Sequence, residues 1–371
     1  MLLLFHLLAL QAEPVAERTQ RLQAVLEAWH QGASFPGATA GFADADGRCF
    51  GLAVGVSDRE RKTPMQAADR MLAGSVGKTY VAAVALQLVH EGRLGLDEPI
   101  AKYLGQEAWF PRLPNAADIR VRMLLQHTSG LVRYEFHEKF VQDLKSEPYK
   151  VWKPEEQLAY LFDSEAPFAA GAGWDYSDSN YLVLGLILER IGGAPLNEQI
   201  RARVLEPLRL ADTLPSDRPE LPGLVQGYAG PDNPFGDADA VLADGRMVFN
   251  PQFEWAGGGY YTTAPDLARW ARLFYQGEAF AAALLPQVVD GVEAPMLGPG
   301  VRYGLCAILR DSALGPVWGH SGFFPGYVTE MAYYPERRCA VAVQVNSSAP
   351  RVLGRPLRRV VDELAAVLSA P

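Results

Sequence analysis

The chain has few cysteines and no excess of positive charge, and both shortages exclude classes of protein. Only three cysteines, Cys49, Cys306 and Cys339, occur in 371 residues, and none has the paired spacing of a zinc or iron–sulfur site. The chain has 34 Lys and Arg residues and 43 Asp and Glu residues, which gives a net charge of −9, and its basic residues do not cluster in one segment. A nucleic-acid partner is therefore not expected, and we predict a small-molecule or peptide substrate with no metal and no cofactor.

Long apolar runs are also missing, so the sequence predicts no integral membrane span, which needs roughly 20 residues. The run Met1–Ala12 is apolar apart from His6 and Gln11 and resembles the core of a signal peptide. Ala9 and Ala12 suit a cleavage site, although no Lys or Arg precedes the run. We predict a signal peptide over residues 1–12 and a periplasmic or secreted protein, with a cytoplasmic protein as the alternative.

The pattern of apolar residues divides the chain into outer and central parts. Amphipathic helices are predicted near both ends, over Glu17–Gln31 and along a stripe from Leu357 to Leu368. Between these two helices along the chain are six segments typical of strands: Ala38–Phe42, Arg48–Val54, Gly259–Thr263, Tyr303–Leu309, Val328–Tyr334 and Ala340–Asn346. Helical patterns, notably Ser75–Glu91 and Tyr181–Ile191, occupy the middle. The order predicts a sheet built from both chain ends with a helical insertion.

The segment Gly74–Thr79 (GSVGKT) can be interpreted in two ways. A phosphate-binding loop would need glycine at the position of Leu72, so its first turn is missing. As Ser-x-x-Lys at the start of a helix, the segment puts Ser75 and Lys78 one turn apart on one face, where the ammonium reaches the hydroxyl. The surrounding helix is apolar, which predicts that Lys78 is buried or lines a cleft.

Two further polar segments precede or follow predicted regular elements. Asp175–Tyr181 comes just before an apolar helix, and Gly319–Phe323 (GHSGF) resembles a nucleophile elbow. The elbow needs a histidine after Ser321, but all six histidines precede it: His6, His30, His90, His127, His137 and His320. His127 is predicted to be structural, with a hydrogen bond to a loop backbone.

Taken in order, three motifs resemble those of the penicillin-recognising serine hydrolases of the class C β-lactamase, DD-carboxypeptidase and esterase type. They are Ser75-x-x-Lys78, Tyr176-Ser177-Asp178 in place of Tyr-x-Asn, and His320-Ser321-Gly322 in place of Lys/His-x-Gly. Three longer stretches are also similar to that family: Leu124–Leu131, Ala256–Ala264 and Gly319–Gly326. The resemblance spans about residues 20–370. It implies an α/β (α+β) fold of β-lactamase/transpeptidase type, with an antiparallel sheet flanked by N- and C-terminal helices.

The same resemblance implies the domain layout and the site. Residues 13–371 would form one catalytic domain, with a sheet lobe at about 13–74 and 255–371 and a helical lobe at about 75–254. The catalytic residues would be Ser75, Lys78 and Tyr176, the oxyanion hole would use the backbone N–H groups of Ser75 and Phe323, and the substrate-binding residues would be Asp178, His320, Ser321 and Gly322. The implied reaction is acyl transfer through a covalent intermediate.

Two residues depart from the family pattern. Asp178 stands in place of asparagine, and His320 in place of the lysine of true β-lactamases. Both changes lower the positive charge available to a substrate carboxylate and disfavour β-lactam hydrolysis. Because the carboxylate of Asp178 favours the ammonium form of Lys78, we expect a charged Lys78 that lowers the pKa of Tyr176, so that the phenolate is the base.

The prediction for function is a serine hydrolase of an ester, amide or D-amino-acid peptide bond, of esterase or DD-carboxypeptidase type. A β-lactamase is the alternative within the same chemistry. A non-catalytic binding protein that retains the fold is the alternative of another class, and a P-loop NTPase is a third. The oligomeric state is left open.

Overall fold

The computed structural model describes residues 15–231, 233 and 239–370. The predicted signal peptide lies outside the described residues and stays a prediction. The helices are α1 Val15–Gln31, α2 Lys78–His90, α3 Ala101–Leu104, α4 Val121–Gln126, α5 Glu138–Ser146, α6 Pro154–Leu158, α7 Ser179–Gly192, α8 Leu196–Ile200, α9 Ala264–Tyr275, α10 Leu285–Val288 and α11 Leu357–Leu368. The strands are β1 Gly37–Ala43, β2 Cys49–Asp58, β3 Thr63–Pro64, β4 Met71–Leu72, β5 Leu214–Pro215, β6 Leu242–Ala243, β7 Arg246–Met247, β8 Tyr260–Thr262, β9 Val292–Glu293, β10 Arg302–Tyr303, β11 Ile308–Ser312, β12 Gly315–Phe324, β13 Tyr327–Tyr334 and β14 Cys339–Val345.

The largest sheet of the described chain is built from both of its ends. Its order is β3-β2-β1-β14-β13-β12-β11-β10-β9, and neighbouring strands are antiparallel. The two ends meet where β1 pairs with β14, with Ala38 opposite Val345. The predicted antiparallel sheet is confirmed.

Helices cover both faces of this sheet. On one face α1 and α11 contact each other and the strands beneath them. Their apolar stripes are buried there, as predicted: Leu22, Leu26 and Trp29 on α1, and Leu357, Val360, Val361, Leu364 and Leu368 on α11. On the other face α9 packs against β1 and β14. Gly41 in β1 permits this close approach, since a Cβ there would overlap the carbonyl group of Ala264.

Three details differ from the sequence prediction. Tyr303–Leu309 is not one strand, because Cys306 adopts a left-handed backbone with φ 61° and separates β10 from β11. Strand β8 lies outside the main sheet and pairs with β4 and β5 in a small sheet of its own. Helix α9 was not anticipated, although Thr263 caps it by accepting a hydrogen bond from the backbone N–H of Asp266.

The helices α2 to α8 form the inserted part of the fold. Helix α2 is its centre, with ten of its thirteen residues buried, and it contacts α7 and α8. Such a helix is apolar on all sides because it is surrounded by protein. The site described below lies where the start of α2, the start of α7 and the edge of β12 meet.

No helix of the described ranges is both long and apolar enough to cross a membrane.

Candidate active site

Ser75 lies in a short 3₁₀ turn, Gly74–Gly77, that leads directly into α2. Lys78 is the first residue of α2, one turn after Ser75, and its Nζ donates to the Ser75 Oγ at 2.9 Å. Lys78 is fully buried, whereas Ser75 is partly exposed. The Ser-x-x-Lys spacing therefore produces the predicted contact between an accessible hydroxyl and a buried cation.

Glycines bring this turn against the edge of β12. Gly74 has φ +54°, and a Cβ on it would lie 2.6 Å from the carbonyl oxygen of Phe323. A Cβ on Gly322 would overlap the carbonyl oxygen of Ala73. Because both positions lack a side chain, the backbone N–H groups of the turn and of β12 lie side by side.

The Lys78 ammonium uses all three of its N–H donors within the protein. Besides Ser75 Oγ, its acceptors are Asp178 Oδ1 and the backbone carbonyl oxygen of Gly257. An ammonium group has three donors and no acceptor. In this arrangement the Ser75 oxygen is the acceptor, so the Ser75 proton must point elsewhere.

Asp178 is buried beneath the site and is shared by two cations. It precedes α7, is 7% exposed, and its Oδ1 accepts from Lys78. Its Oδ2 accepts from Arg133 Nη2 at 3.0 Å, and Arg133 Nε also donates to Glu135. Both oxygens of Asp178 are thus engaged by side chains of the protein, which does not fit the predicted contact with substrate.

Electrostatics fix the charge state of this network. Burial has the largest effect on Lys78 and works against its charge, but Asp178, with smaller contributions from Tyr176 and Glu254, raises the pKa of Lys78 above its ordinary value. Burial also opposes charge on Asp178, yet Lys78, Glu135 and Arg133 together hold its pKa well below the usual range. Burial, followed by the charge of Asp178, raises the pKa of Glu135. Lys78 and Arg133 are therefore held as cations on either side of the Asp178 carboxylate, and the surroundings of Glu135 favour its protonated form.

Tyr176 completes the group around Ser75. Its ring centroid is 5.1 Å from Lys78 Nζ, and its buried hydroxyl, which faces Ser75 and Lys78, has no hydrogen-bond partner of ordinary geometry among the described residues. Burial raises the pKa of Tyr176 to about 12, and the opposing effect of Lys78 does not reverse this rise. The expected phenolate is therefore not the resting state, because desolvation of the ring oxygen outweighs the nearby ammonium.

His320 lies behind Tyr176 as a neutral imidazole. Its Nδ1 donates to the carbonyl oxygen of Ser321 at 2.7 Å, which leaves Nε2 to accept from the hydroxyl of Tyr303 at 2.8 Å. Burial, and next the charge of Lys78, lower the pKa of His320 to about 4. With both nitrogens engaged and 1% exposure, His320 supports Tyr303, and its contact with substrate stays a prediction.

The other predicted residues of β12 lie on alternate faces of the strand. β11 pairs with β12 only over Gly315–Gly319, and the turn that carries Ser75 packs beside the remainder. Gly322 faces this turn. Ser321, the residue before Gly322, points to the opposite face of the strand. There it lines a separate cavity of about 250 Å³ with Glu330, so its side chain is not brought to Ser75. The ring of Phe323 is 52% exposed.

His127 is buried among aromatic rings, as a structural residue should be. Its Nδ1 accepts from the backbone N–H of Ser177 at 3.2 Å and from Asn180 Nδ2 at 3.0 Å. Its ring centroid is 4.1 Å from that of Tyr176. His127 thus fixes the loop that carries Tyr176, in agreement with the predicted hydrogen bond to a loop backbone.

Glu254 is an acid at the site that has no charged partner within hydrogen-bond distance among the residues that the structure describes. It precedes Gly257, whose carbonyl binds Lys78, and its Oε2 lies 2.9 Å from the position of a Cβ on Gly258. Burial, and next the charge of Asp178, raise the pKa of Glu254 to about 8, against the opposing charges of Lys78 and Arg133.

The raised pKa of Glu254 predicts a pH-dependent cost in stability. Below pH 4.5 the carboxyl group is protonated in both the folded and the unfolded chain and contributes nothing. Between about pH 4.5 and 8 only the unfolded chain releases the proton, so stability falls as pH rises, by at most about 1.4 kcal/mol per pH unit. Urea unfolding of wild type and Glu254→Gln should show a difference that grows in favour of the variant over this range. A difference that is constant with pH contradicts the assignment.

A methyl group at Gly322 should disturb the site more than the fold. In Gly322→Ala the new Cβ would overlap the carbonyl of Ala73 and push the Ser75 turn away from β12. We expect a loss of kcat/KM on the order of 10²-fold, with a stability loss of about 1–3 kcal/mol. Gly32→Ala is the matched control, since its Cβ would meet its nearest atom at 3.5 Å. Equal activity of the two variants would show that β12 does not form a wall of the site.

Sequence reasoning missed Arg133, Glu135, Glu254 and Tyr303. One signal was present: an aspartate in place of asparagine beside a buried lysine predicts a second cation, because a buried carboxylate needs its charge compensated. The sequence does not identify that cation, because Arg133 lies 45 residues before Asp178 and is brought to it only by the fold.

Comparisons with known proteins point to one family. The family model described as Beta-lactamase matches residues 20–366. The chain is 30% identical over 311 residues to esterase EstB of Burkholderia gladioli, covering 73% of this chain and 78% of that protein. It is 25% identical over 290 residues to penicillin-binding protein 4* of Bacillus subtilis (strain 168), covering 76% and 62% respectively.

Among solved structures, a D-stereospecific amidohydrolase from Streptomyces sp. is similar over 94% of this chain and 98% of its own. The TM-score is 0.78 and the sequence identity 26%. The predicted β-lactamase/transpeptidase-like fold and the family resemblance are confirmed. The chain belongs to the Beta-lactamase family.

Proposed function

We propose that the chain hydrolyses ester or amide bonds through a covalent acyl-enzyme on Ser75. The observation that carries the proposal is the contact of the hydroxyl of Ser75, a partly exposed residue, with the ammonium of the fully buried Lys78, next to the hydroxyl of Tyr176. A relative named as an esterase and a solved structure named as an amidohydrolase support both bond types. The substrates are small molecules or peptides.

In acylation, Ser75 Oγ attacks the carbonyl carbon and its proton passes to Tyr176. Because Tyr176 is protonated at rest, it passes its own proton to the leaving oxygen or nitrogen in the same step, and the ester or amide bond to that protonated atom then breaks. The Lys78 ammonium stabilises negative charge that develops on Ser75 Oγ. In this relay the number of protons is balanced without a phenolate at rest. We therefore propose it in place of the expected mechanism, in which the Tyr176 phenolate is the base.

The carbonyl oxygen of the substrate would be held by the backbone N–H groups of Ser75 and Phe323. These two segments lie against one another, since a Cβ on Gly74 would be 2.7 Å from the Phe323 nitrogen. Each such donor is worth on the order of 10²–10³ in rate. Water then attacks the acyl-enzyme, with the relay through Tyr176 reversed, and releases the acid.

The charge balance favours neutral substrates over penicillins. Lys78 and Arg133 both bind Asp178, and His320 is neutral, so none of these three groups is free to bind a substrate carboxylate. A panel of a neutral p-nitrophenyl ester, a D-amino acid amide and a penicillin tests the proposal. We expect turnover of the ester or the amide, with the penicillin slower. No turnover of any of them would favour the binding-protein alternative.

The P-loop alternative fails on the position of Lys78. A phosphate-binding lysine must present its ammonium to the ligand, whereas Lys78 is fully buried and bound to Asp178 and Gly257. Leu72, where the first loop glycine is needed, is itself buried in β4.

We also propose that the protein is exported. The support is the apolar run Met1–Ala12 with small residues at Ala9 and Ala12. N-terminal sequencing of protein recovered from the periplasm or medium tests it, and an intact Met1 on a cytoplasmic protein would contradict it.

A further inference from the structure

Two cations from distant parts of the chain hold opposite oxygens of Asp178. Lys78 binds Oδ1, and Arg133 Nη2 binds Oδ2 at 3.0 Å. The Asp178 side chain is only 10% exposed, so water cannot easily replace a lost partner. If a buried carboxylate loses one partner, the oxygen that the partner bound stays charged and without a hydrogen bond, which costs free energy.

Arg133 is itself held in one orientation. Its Nε donates to Glu135, and its guanidinium carbon lies 4.3 Å from the ring centroid of Phe136 and 5.4 Å from that of Tyr176. A planar guanidinium fixed by a hydrogen bond and two rings loses little freedom when it binds a carboxylate. Arg133 therefore reaches Asp178 with Nη2 while its Nε stays bound to Glu135.

The second cation matters because Lys78 has to serve three acceptors at once. Attraction to a bare carboxylate at Asp178 would draw the ammonium toward Oδ1 and away from Ser75 Oγ. Arg133 offsets part of that negative charge from the far side of Asp178. An asparagine, which is neutral, would need no such offset.

We propose that Arg133 is a positioning residue, an inference that rests on the proposed function. By binding the second oxygen of Asp178, it keeps the Lys78 ammonium on Ser75 and so allows an aspartate to stand at the last position of the Tyr-x-Asn-like motif.

A double-mutant cycle tests this role because the effect of Arg133 should depend on Asp178. In the wild-type background, Arg133→Met should lower kcat for a neutral p-nitrophenyl ester by about 10–100-fold, with KM changed less. In the Asp178→Asn background, the same substitution should change kcat by less than about threefold. The rate of Ser75 labelling by a fluorophosphonate should follow the same pattern.

Arg112→Met is the matched control for loss of a paired arginine. Arg112 binds Asp163 through Nε and Nη2 at 3.0 and 2.7 Å, and it lies 4.9 Å from the ring of Phe162. This variant should keep wild-type kcat. Arg133→Lys retains a cation and should recover most of the kcat lost in Arg133→Met, and it provides the comparison if Arg133→Met does not fold.

Equal losses in the two backgrounds, or no recovery by Arg133→Lys, would overturn the positioning role. These results are distinguishable from failure of the proposed function. If wild type hydrolyses the ester but the cycle is additive, only the role of Arg133 is wrong. If wild type neither hydrolyses the ester nor is labelled on Ser75, the proposed function is wrong.

Discussion

Replacement of Ser75 by alanine should abolish hydrolysis, with kcat/KM lowered on the order of 10⁴–10⁶-fold. The physical reason is that Ser75 is partly exposed and accepts a hydrogen bond from Lys78, whereas the Tyr176 hydroxyl, which also faces Lys78, is buried and cannot take over the attack. Folding should survive, because the variant loses one hydrogen bond to Lys78 and creates no overlap, for a cost of about 1–3 kcal/mol. Steady-state kinetics with the neutral ester and urea unfolding measure the two effects.

Ser164→Ala is the control for loss of a hydroxyl elsewhere. The Ser164 hydroxyl donates to the carbonyl of Leu161 at 2.7 Å, and its removal should leave kcat/KM unchanged. Turnover by Ser75→Ala within tenfold of wild type would mean that the nucleophile lies elsewhere.

Loss of Lys78 or of the Tyr176 hydroxyl should have the next largest effect. Lys78→Met removes the cation that stabilises the attacking oxygen, and Tyr176→Phe removes the proton relay. Each should lower kcat/KM on the order of 10²–10⁴-fold. Because the two groups act on the same Ser75 oxygen, the double variant should lose little more than the worse single variant. Kinetics of the four proteins on one ester measure this coupling.

Two results would contradict this account of Lys78 and Tyr176. One is a double variant that loses the product of the single losses, which would show independent actions. The other is a kcat/KM of wild type that rises tenfold per unit between pH 7 and 9, as a titrating phenolate base would require. Tyr260→Phe is the control for loss of a phenol hydroxyl outside the site, since that hydroxyl donates to Asn197 at 2.9 Å.

The sequence predicted the parts of the fold that short-range patterns specify. The stripe of α11 follows from an apolar periodicity of 3.6 residues. The antiparallel order of the sheet was implied only by the family resemblance, since β1 and β14 are buried along their whole length and show no alternation. The division of Tyr303–Leu309 could not be predicted, because it depends on a left-handed backbone at Cys306, a residue that rarely adopts one. The separate sheet of β8 depends on pairing with β4, nearly 190 residues away.

Only those parts of the site that lie within the sequence motifs could be predicted. The spacing of Ser75 and Lys78 specifies their contact, since it is fixed by one helical turn. The pKa of Tyr176 was not predictable, because burial, which no motif encodes, outweighs the charge of Lys78. The resemblance assigned Asp178 and His320 to substrate binding, which stays a prediction, and only the fold reveals the protein partners of both side chains.

The central claim is that Ser75 forms a covalent acyl-enzyme, and intact-protein mass spectrometry after rapid quenching in acid tests it most directly. Wild type mixed with a p-nitrophenyl ester should gain the mass of one acyl group, and peptide mapping should locate that group on the tryptic peptide that contains Ser75. Ser75→Ala should gain nothing under the same conditions. An acyl group on another residue, or turnover of the ester by wild type with no adduct and no burst of p-nitrophenol, would contradict the account.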